Sequence, residues 1–464
     1  MTIRRIMLVV VFLISLFDPV LAQGPRRLTL EECVHVALEN NPDYLTAQKE
    51  VAKAKAGVWE AYSTILPQIN AHANLQRAWE IQENTIPNFL KPMLAPLAPI
   101  IPEIGQMPDF VQLSFGLEYT FLYGATLTQP LYLGGAGIAG IKMASAAARA
   151  AEHSLQFTEQ NLYLNVADAF YKCILAREFI KVQEEALKQA EENLSMVSKK
   201  YQVGMASRFD KMRAEVEVTN IRPQLVSAKN AYQMALTSLK MVTGIDESTP
   251  LEIEGELVFQ PDDFGDLSLQ DIIKMAREKR PEMKTLEEQK YISHKGITLA
   301  RSYFMPKLFF QTDYSFLAMQ NDVKFSQKDF SKGFTSAISL QIPLFSGFKN
   351  ARHYQKAKID YKIMLDTEKK LVDGIEAEVE VSFNKFQEAK ETYISAKQSV
   401  DLAKEALRLA RVMYDEGAST QLDVLNSQLA LTRAQLNYIS LLYEYQIARY
   451  QLRKATGTLS GTIQ

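Results

Sequence analysis

What this chain lacks narrows its function before any motif is sought. Its 52 basic and 54 acidic residues nearly cancel, so there is none of the charge excess that nucleic-acid binding requires. After residue 22 no stretch of 18 apolar residues occurs, which excludes a transmembrane helix from the mature chain. A β-barrel stays open, because barrel strands alternate and leave hydropathy unremarkable. Five histidines (His35, His72, His153, His294 and His353) fall in no metal-site spacing, and no nucleophile–base pair is visible. An enzyme, a metal site and a bound cofactor are therefore not expected. Proline is missing from Ile138 to Lys200 and from Lys349 to Met413, where Gly140 and Gly374 are the lone glycines. At about 1.5 Å per residue, each stretch makes a helix of roughly 95 Å, far beyond an ordinary globular helix.

The first residues read as an export signal. Arg4 and Arg5 precede an apolar run from Ile6 to Phe17, and Val20-Leu21-Ala22 supplies small residues for cleavage after Ala22. Residue 23 is Gln rather than Cys, so no lipid anchor is expected.

The rest of the chain is written twice. A shift of 239 places Leu28-Thr29-Leu30 on Leu267-Ser268-Leu269, Pro42 on Pro281 and Pro67 on Pro306. A shift of 213 places Pro130-Leu131-Tyr132 on Pro343-Leu344-Phe345, Tyr201 on Tyr414, Gly204 on Gly417 and Asp210 on Asp423. The difference of 26 residues is an insertion in the first copy, from about Asn84 to Pro108, with six prolines among Leu, Ile and Met. Proline at that density argues against helix there, and an extracellular loop is expected. So long a period means a duplicated half rather than a solenoid. The two repeats are taken as 23–245 and 246–464. Cys33 and Cys173 align with Ile272 and Phe386, so both are read as small core residues rather than a disulfide.

Each half has the same order of elements. A short helix (29–40, 268–279) leads to a longer one ending at Pro67 or Pro306. Strands with alternate apolar residues follow at about 68–79 and 111–128, and at 308–317 and 333–345. Long helices at 138–200 and 349–414 then turn back into return helices at 208–242 and 421–455. In the second copy Ala396, Val400, Ala403, Leu407, Ala410 and Tyr414 step by 4 and 3, and Gln183, Leu187, Ala190, Leu194, Val197 and Tyr201 repeat that register in the first. These are coiled-coil seams. The second return helix shows a seam of its own through Leu422, Leu425, Leu429, Thr432, Leu436 and Ile439, while the first contains Pro223, which should kink it. Four strands cannot close a membrane barrel, so several chains must pool them, and three chains would give twelve. Alternation alone also fits a soluble sheet packed against helices, and the rival reading of the whole chain is a soluble periplasmic coiled-coil scaffold.

Three strings carry a resemblance over nearly the whole mature chain. They are Gln129-Pro130-Leu131-Tyr132 with Gly134-Gly135, Pro343-Leu344-Phe345 with Gly347, and the paired tips Tyr201-Gln202-Val203-Gly204…Ser207…Asp210 and Tyr414-Asp415-Glu416-Gly417…Thr420…Asp423-Val424-Leu425. In these the chain resembles the TolC family of outer-membrane efflux proteins. The resemblance implies a homotrimer with a twelve-stranded outer-membrane β-barrel and a periplasmic α-helical coiled-coil tunnel. Its tips, at Gly204, Ser207, Gly417 and Thr420, would dock a periplasmic adaptor bound to an inner-membrane transporter. Drugs, small toxic compounds or secreted polypeptides would pass through passively. Pro130, Gly134, Gly135, Pro343 and Gly347 would form the strand-to-helix turns. Asp423 matches an aperture acid, and Asp210 with Tyr414 matches part of a network that closes the aperture. Asn426 stands where a second aperture acid is common, and Ser419 where a gating arginine occurs. Read by local physics alone, the two glycines are helix ends, Ser207 and Thr420 are caps, and the aspartates sit in a first helical turn.

One competing motif is set aside. Gly135-Ala136-Gly137-Ile138-Ala139-Gly140 is a formal G-x-G-x-x-G, but some 60 helical residues follow it and the second copy does not keep its glycines.

Overall fold

The computed structural model describes residues 26–114, 116–260, 264 and 267–459, so the expected leader lies outside the described residues. In chain order, β1 (Arg26–Leu28), α1 (Leu30–Asn40) and α2 (Pro42–Ser63) precede β2 (Gln68–Arg77). The insertion carries β3 (Glu83–Pro87), α3 (Leu90–Leu94) and β4 (Phe110–Ser114), and then come β5 (Tyr119–Tyr132), α4 (Ala136–Gln202) and α5 (Arg208–Thr243). The second half runs β6 (Leu251–Ile253), α6 (Leu269–Lys279), α7 (Pro281–Ser302), β7 (Lys307–Gln320), β8 (Ser331–Gln341), α8 (Lys349–Asp415) and α9 (Gln421–Ala455). Among the described residues no helix is long and apolar enough to cross a membrane.

Packing cuts across the duplication. One compact unit takes the chain up to Ala54, Ala147–Lys290 and the chain from Ile363 on; the other takes Lys55–Ala146 and Tyr291–Lys362. Each unit is thus built from both halves.

The second unit holds a four-stranded antiparallel sheet in the order β2-β5-β7-β8. The register sorts its side chains onto two faces, since alternate residues point oppositely. Leu75, Phe121 and Ala318 share one face, as do Tyr123 with Phe316, Tyr314 with Phe334, and Phe310 with Ile338. Tyr123 stacks on Phe316 with centroids 4.9 Å apart, and Thr312 and Ser336, also on this face, bond each other at 2.8 Å. Asn70, Thr126, Asp313 and Thr335 line the opposite face, beside His72, Gly124 and Ser315. Thr126 donates to Asp313 at 2.8 Å there. The sheet is therefore largely apolar and aromatic on one side and mainly polar on the other, where Leu122, Leu317, Met319 and Phe309 are the apolar exceptions. Its outer strands β2 and β8 each pair on one side only.

Two expected strands change. The run expected at 111–128 is split: Phe110–Ser114 pairs with Glu83–Pro87 in a separate two-stranded sheet, and β5 begins at Tyr119. Gly116, at φ 139°, breaks the extended backbone between them without breaking the alternation, so the pattern concealed the join. β8 stops at Gln341, short of 345, because Pro343 has no N–H for a ladder. The insertion also corrects the expectation of no helix. Pro92 lies in the first turn of α3, Pro96 and Pro102 open 3₁₀ turns, and at such positions the missing N–H costs nothing. Lys91 ties the segment to Asp109 at 2.7 Å, while Phe89, Met93 and Ile100 stand exposed.

The first unit has two related cores. Cys33 and Cys173, which form no disulfide, are both fully buried in one, with Val166, Ile174 and Leu239. Ile272 and Phe386 hold the matching places in the other, with Val379, Tyr445 and Leu452. The cysteines are thus small core residues, as the repeat alignment requires. Burial, with Cys33 beside it, pushes the Cys173 thiol up to about 12, so it stays a thiol. The extended segment 251–260 straps both cores. Its carbonyls accept from buried or half-buried side chains: Ile253 from Arg177 at 3.0 Å, Val258 from Gln446, and Gln260 from Tyr445 at 2.8 Å.

Seams run from the cores toward the hairpin turns. Leu187, Ala190 and Leu194 of α4 meet Val218 and Ile221 of α5, and Val400, Ala403, Leu407, Ala410 and Tyr414 of α8 meet Val424 and Leu431 of α9. The α8 register is as expected. On α9 the packed stripe runs through Val424 and Leu431; of the expected seam Leu425 is buried and Thr432, Leu436 and Ile439 half-buried, while Leu422 and Leu429 are exposed. Both stripes repeat by seven, so periodicity alone could not choose between them. α5 continues through Pro223 as one element.

Candidate functional site

The two hairpin turns, α4–α5 and α8–α9, have the same backbone. Gly204 and Gly417 both adopt φ 77°, the left-handed conformation that ends a helix. Met205 N–H reaches back to the Lys200 carbonyl at 2.7 Å, and Ala418 N–H to that of Met413 at 2.7 Å. Ser207 and Thr420 then cap the return helices. Asp210 N–H donates to Ser207 Oγ at 3.1 Å, and the Asp210 carboxylate accepts from Ser207 Oγ at 2.6 Å. Asp423 and Thr420 make the same reciprocal pair at 3.4 and 2.7 Å. These are capping boxes with aspartate in the third position. The Thr420 bonds hold the Asp423 carboxyl below the usual carboxylate range, so it is ionised and exposed at neutral pH.

Side chains distinguish the turns. The first is basic and apolar, with Lys199, Lys200, Arg208, Lys211 and Arg213 around a single acid, Asp210. Val203, Met205 and Phe209 are 69%, 77% and 63% exposed, and the Arg213 guanidinium lies 4.3 Å from the Phe209 ring centre. The second turn is acidic, with Asp415, Glu416 and Asp423. Contacts cross between the hairpins. Lys200 Nζ donates to Asp415 Oδ1 at 3.2 Å and sits 4.1 Å from the Tyr414 ring centre. Arg411 donates to Gln189 Oε1 at 3.2 Å. Burial, then the charges of Asp210 and Asp415, push the Tyr414 hydroxyl up.

Of the expected gate residues, Tyr414 and Asp210 come within electrostatic reach of each other, Asp210 already being engaged by Ser207. Ser419 turns back to the Ala410 carbonyl of its own hairpin at 3.4 Å, and Asn426 is exposed in the second turn of α9. Lys200, Asp415, Arg411 and Gln189 were missed by motif reading; the opposite charge of the two tips was the available signal. Gln183 and Asn193 of α4 and Gln421 and Gln428 of α9 are buried, with side-chain amide atoms that take no hydrogen bond from the described residues.

The strand-to-helix turns form as spaced. The β5–β7 ladder shifts register between Pro130 and Tyr132; Gly134 and Gly135 have φ 66° and 90°, and a Cβ on Gly134 would meet the Ser302 carbonyl at 2.9 Å. Gly347 (φ 59°) is followed by Phe348 at φ 65°, after Pro343. The G-x-G-x-x-G string opens α4, a helix of 67 residues, as a turn of this kind.

A family model described as "Outer membrane efflux protein" matches residues 33–245 and 272–458. The outer membrane protein TolC of Vibrio cholerae is 23% identical over 93% of this chain and 91% of its own. The alkaline protease secretion protein AprF of Pseudomonas aeruginosa is 23% identical over 99% of this chain and 90% of its own. Among solved structures, the CmeC outer membrane channel of Campylobacter jejuni superposes with a TM-score of 0.73 at 19% identity, covering 94% of this chain and 87% of that one. The outer-membrane channel OprN gives 0.73 at 16%, covering 92% and 89%. The duplicated helix–strand plan, its two matched turns and these likenesses agree: the chain belongs to the outer membrane efflux protein family.

Proposed function

We propose that the protein is a passive exit duct of the outer membrane, in which three copies join their sheets edge to edge into a twelve-stranded barrel. One observation carries this reading: a four-stranded sheet with an aromatic apolar face, a polar face and two unpaired edges. Lipid tolerates no open edge, so strands from several chains must meet, β8 of one against β2 of the next. Cyclic symmetry closes such a ring, and three copies give an even strand number of ordinary size. The apolar face then meets lipid and the polar face lines the lumen. Aromatic residues stand at both ends of the sheet, Phe121, Phe325 and Phe330 at one and Tyr132, Phe304 and Phe345 at the other, as interfacial girdles do.

The helical part lies in the periplasm of a chain exported by a leader cleaved after Ala22. The apolar first tip, around Gly204 and Ser207, is the stronger docking surface for a periplasmic adaptor, helped by Gly417 and Thr420. Asp423 forms an acidic ring at the aperture, with Asn426 beside it, and Tyr414 and Asp210 help to hold it closed. An adaptor-coupled inner-membrane transporter supplies the energy, and the cargo is drugs, small toxic compounds or secreted polypeptides. The proline-rich insertion forms the extracellular rim.

Cell fractionation with unheated and heated gels tests the reading. The protein should sit in the outer membrane and run as a heat-labile trimer. Release with the soluble periplasm as a monomer or dimer would instead make it a coiled-coil scaffold.

A further inference from the structure

We propose that a cavity where the sheet joins α8 is an anion site, built to take a small organic anion with carboxylate or phosphate groups as it passes along the duct. Its place in the lumen rests on the duct reading, in which the polar face of the sheet lines the channel. The cavity measures about 500 Å³, and its walls include Tyr303, Lys307, Gln341, Ser346, Lys349 and His353, all of the second unit. A space of that order suits a small-molecule ligand. Alternation along β7 puts Lys307 on the same face as Asp313, the polar one, opposite Gln341 of β8. Leu308 and Leu340, the next pair, point to the apolar face, so the site faces away from lipid.

The walls are fixed by their own contacts. Asn350 Nδ2 donates to the Tyr303 carbonyl at 2.7 Å, and Asn350 N–H donates to Ser346 Oγ at 3.3 Å, which pins the start of α8 beside the end of α7. The Tyr303 ring centre lies 5.8 Å from the Lys307 ammonium and 5.8 Å from the His353 ring centre. Among the described residues neither Lys307 nor Lys349 forms an ion pair with a carboxylate. No acidic residue occurs at 289–312 or at 341–359, although each stretch carries four lysines or arginines. The first copy builds the same turn without this charge. Under the shifts of the duplication Lys307 falls on Gln68, Lys349 on Ala136, Arg352 on Ala139 and His353 on Gly140. A lysine opening a helix is also unfavourable, because that end of the dipole is already positive. Cations that the turn does not need, set at a cost to the helix around a cavity, call for an anion. Three copies would set a basic collar around the lumen.

Equilibrium dialysis of radiolabelled citrate against the purified full-length protein, in uncharged detergent at moderate salt, tests the site. Binding should saturate at one citrate per protomer. Lys307→Gln with Lys349→Ala, the residues of the first copy, should weaken it at least about tenfold, the scale of lost charge-assisted hydrogen bonds. Lys358→Gln, outside the cavity, should leave it unchanged. If the double variant fails to give trimers on an unheated gel, Lys349→Ala takes its place, with a loss of at least about threefold. No citrate binding by the wild type, or equal weakening by Lys358→Gln, overturns the site. Displacement of citrate by phosphatidylglycerol but not by inorganic phosphate would make it a lipid-headgroup site and overturn the proposal as well. In planar bilayers citrate should reduce the wild-type current, and an unaltered current would put the site outside the lumen. A wild-type protein that binds citrate but never conducts overturns the duct reading, whereas one that conducts and binds no citrate overturns the anion site alone.

Discussion

The two hairpin turns have one backbone and two chemistries. Gly204 and Gly417 share φ 77°, and Ser207–Asp210 and Thr420–Asp423 close the same capping box, yet one tip is basic with bare Met205 and Phe209 and the other is acidic. The comparison separates what builds a turn from what a turn is used for. Positions held in common cap their own helix ends, so the glycine–cap–aspartate pattern builds the turn whatever else its aspartates do. The differences between the copies are where docking and selectivity should be sought.

The largest expected effect would confirm that division. Met205→Asp with Phe209→Asp removes two exposed apolar anchors, each worth about 2 kcal/mol at an interface, and should lower export in a complemented deletion strain at least about tenfold at an unchanged outer-membrane trimer level. Normal export would put docking elsewhere. Gly204→Val and Gly417→Val should each destabilise by about 1–2 kcal/mol or more, because an L-residue is strained at that φ. Thermal unfolding followed by circular dichroism should show similar losses, and a large inequality would break the equivalence of the turns. Asp423→Asn should lower the cation-to-anion permeability ratio in planar bilayers, and Asp210→Asn should lower it less. Equal effects would mean that the acidic tip is not special. The smallest effect concerns the caps. Ser207→Ala and Thr420→Ala should each cost about 1 kcal/mol in urea unfolding. The Asp423 carboxyl is lowered on folding, so its contribution is present above the ordinary carboxylate range and is lost as pH falls through its lowered value. The Thr420→Ala penalty should therefore shrink in strong acid, and a penalty independent of pH would detach the cap from the carboxylate.

Much of this was legible in residue patterns, where the physics is local. The 67-residue helices follow from stretches without proline, the α8 seam from its heptads, and the strand-to-helix turns from Pro130 with Gly134 and Gly135. What escaped depends on partners distant in sequence. Strand alternation located β5 and β7 but could not tell which face meets which neighbour, nor that Phe110–Ser114 leaves for another sheet. The strap at 251–260 has no periodicity, because its carbonyls are held by side chains of α4 and α9. On α9, two stripes share one period, and only the facing helix selects Val424 and Leu431. Lys200 carried no motif at all, because its partner Asp415 lies 215 positions away.

The unpaired edges of β2 and β8 bear on how the protein is made. A single chain has no lipid-compatible form, since its edges would lose hydrogen bonds to hydrocarbon. In the proposed duct, insertion and oligomer formation would then be one kinetic event, whose rate climbs steeply with the concentration of free subunits. On the proposed duct reading, each subunit would carry two unpaired borders until that event, the kind of surface that a holdase chaperone covers.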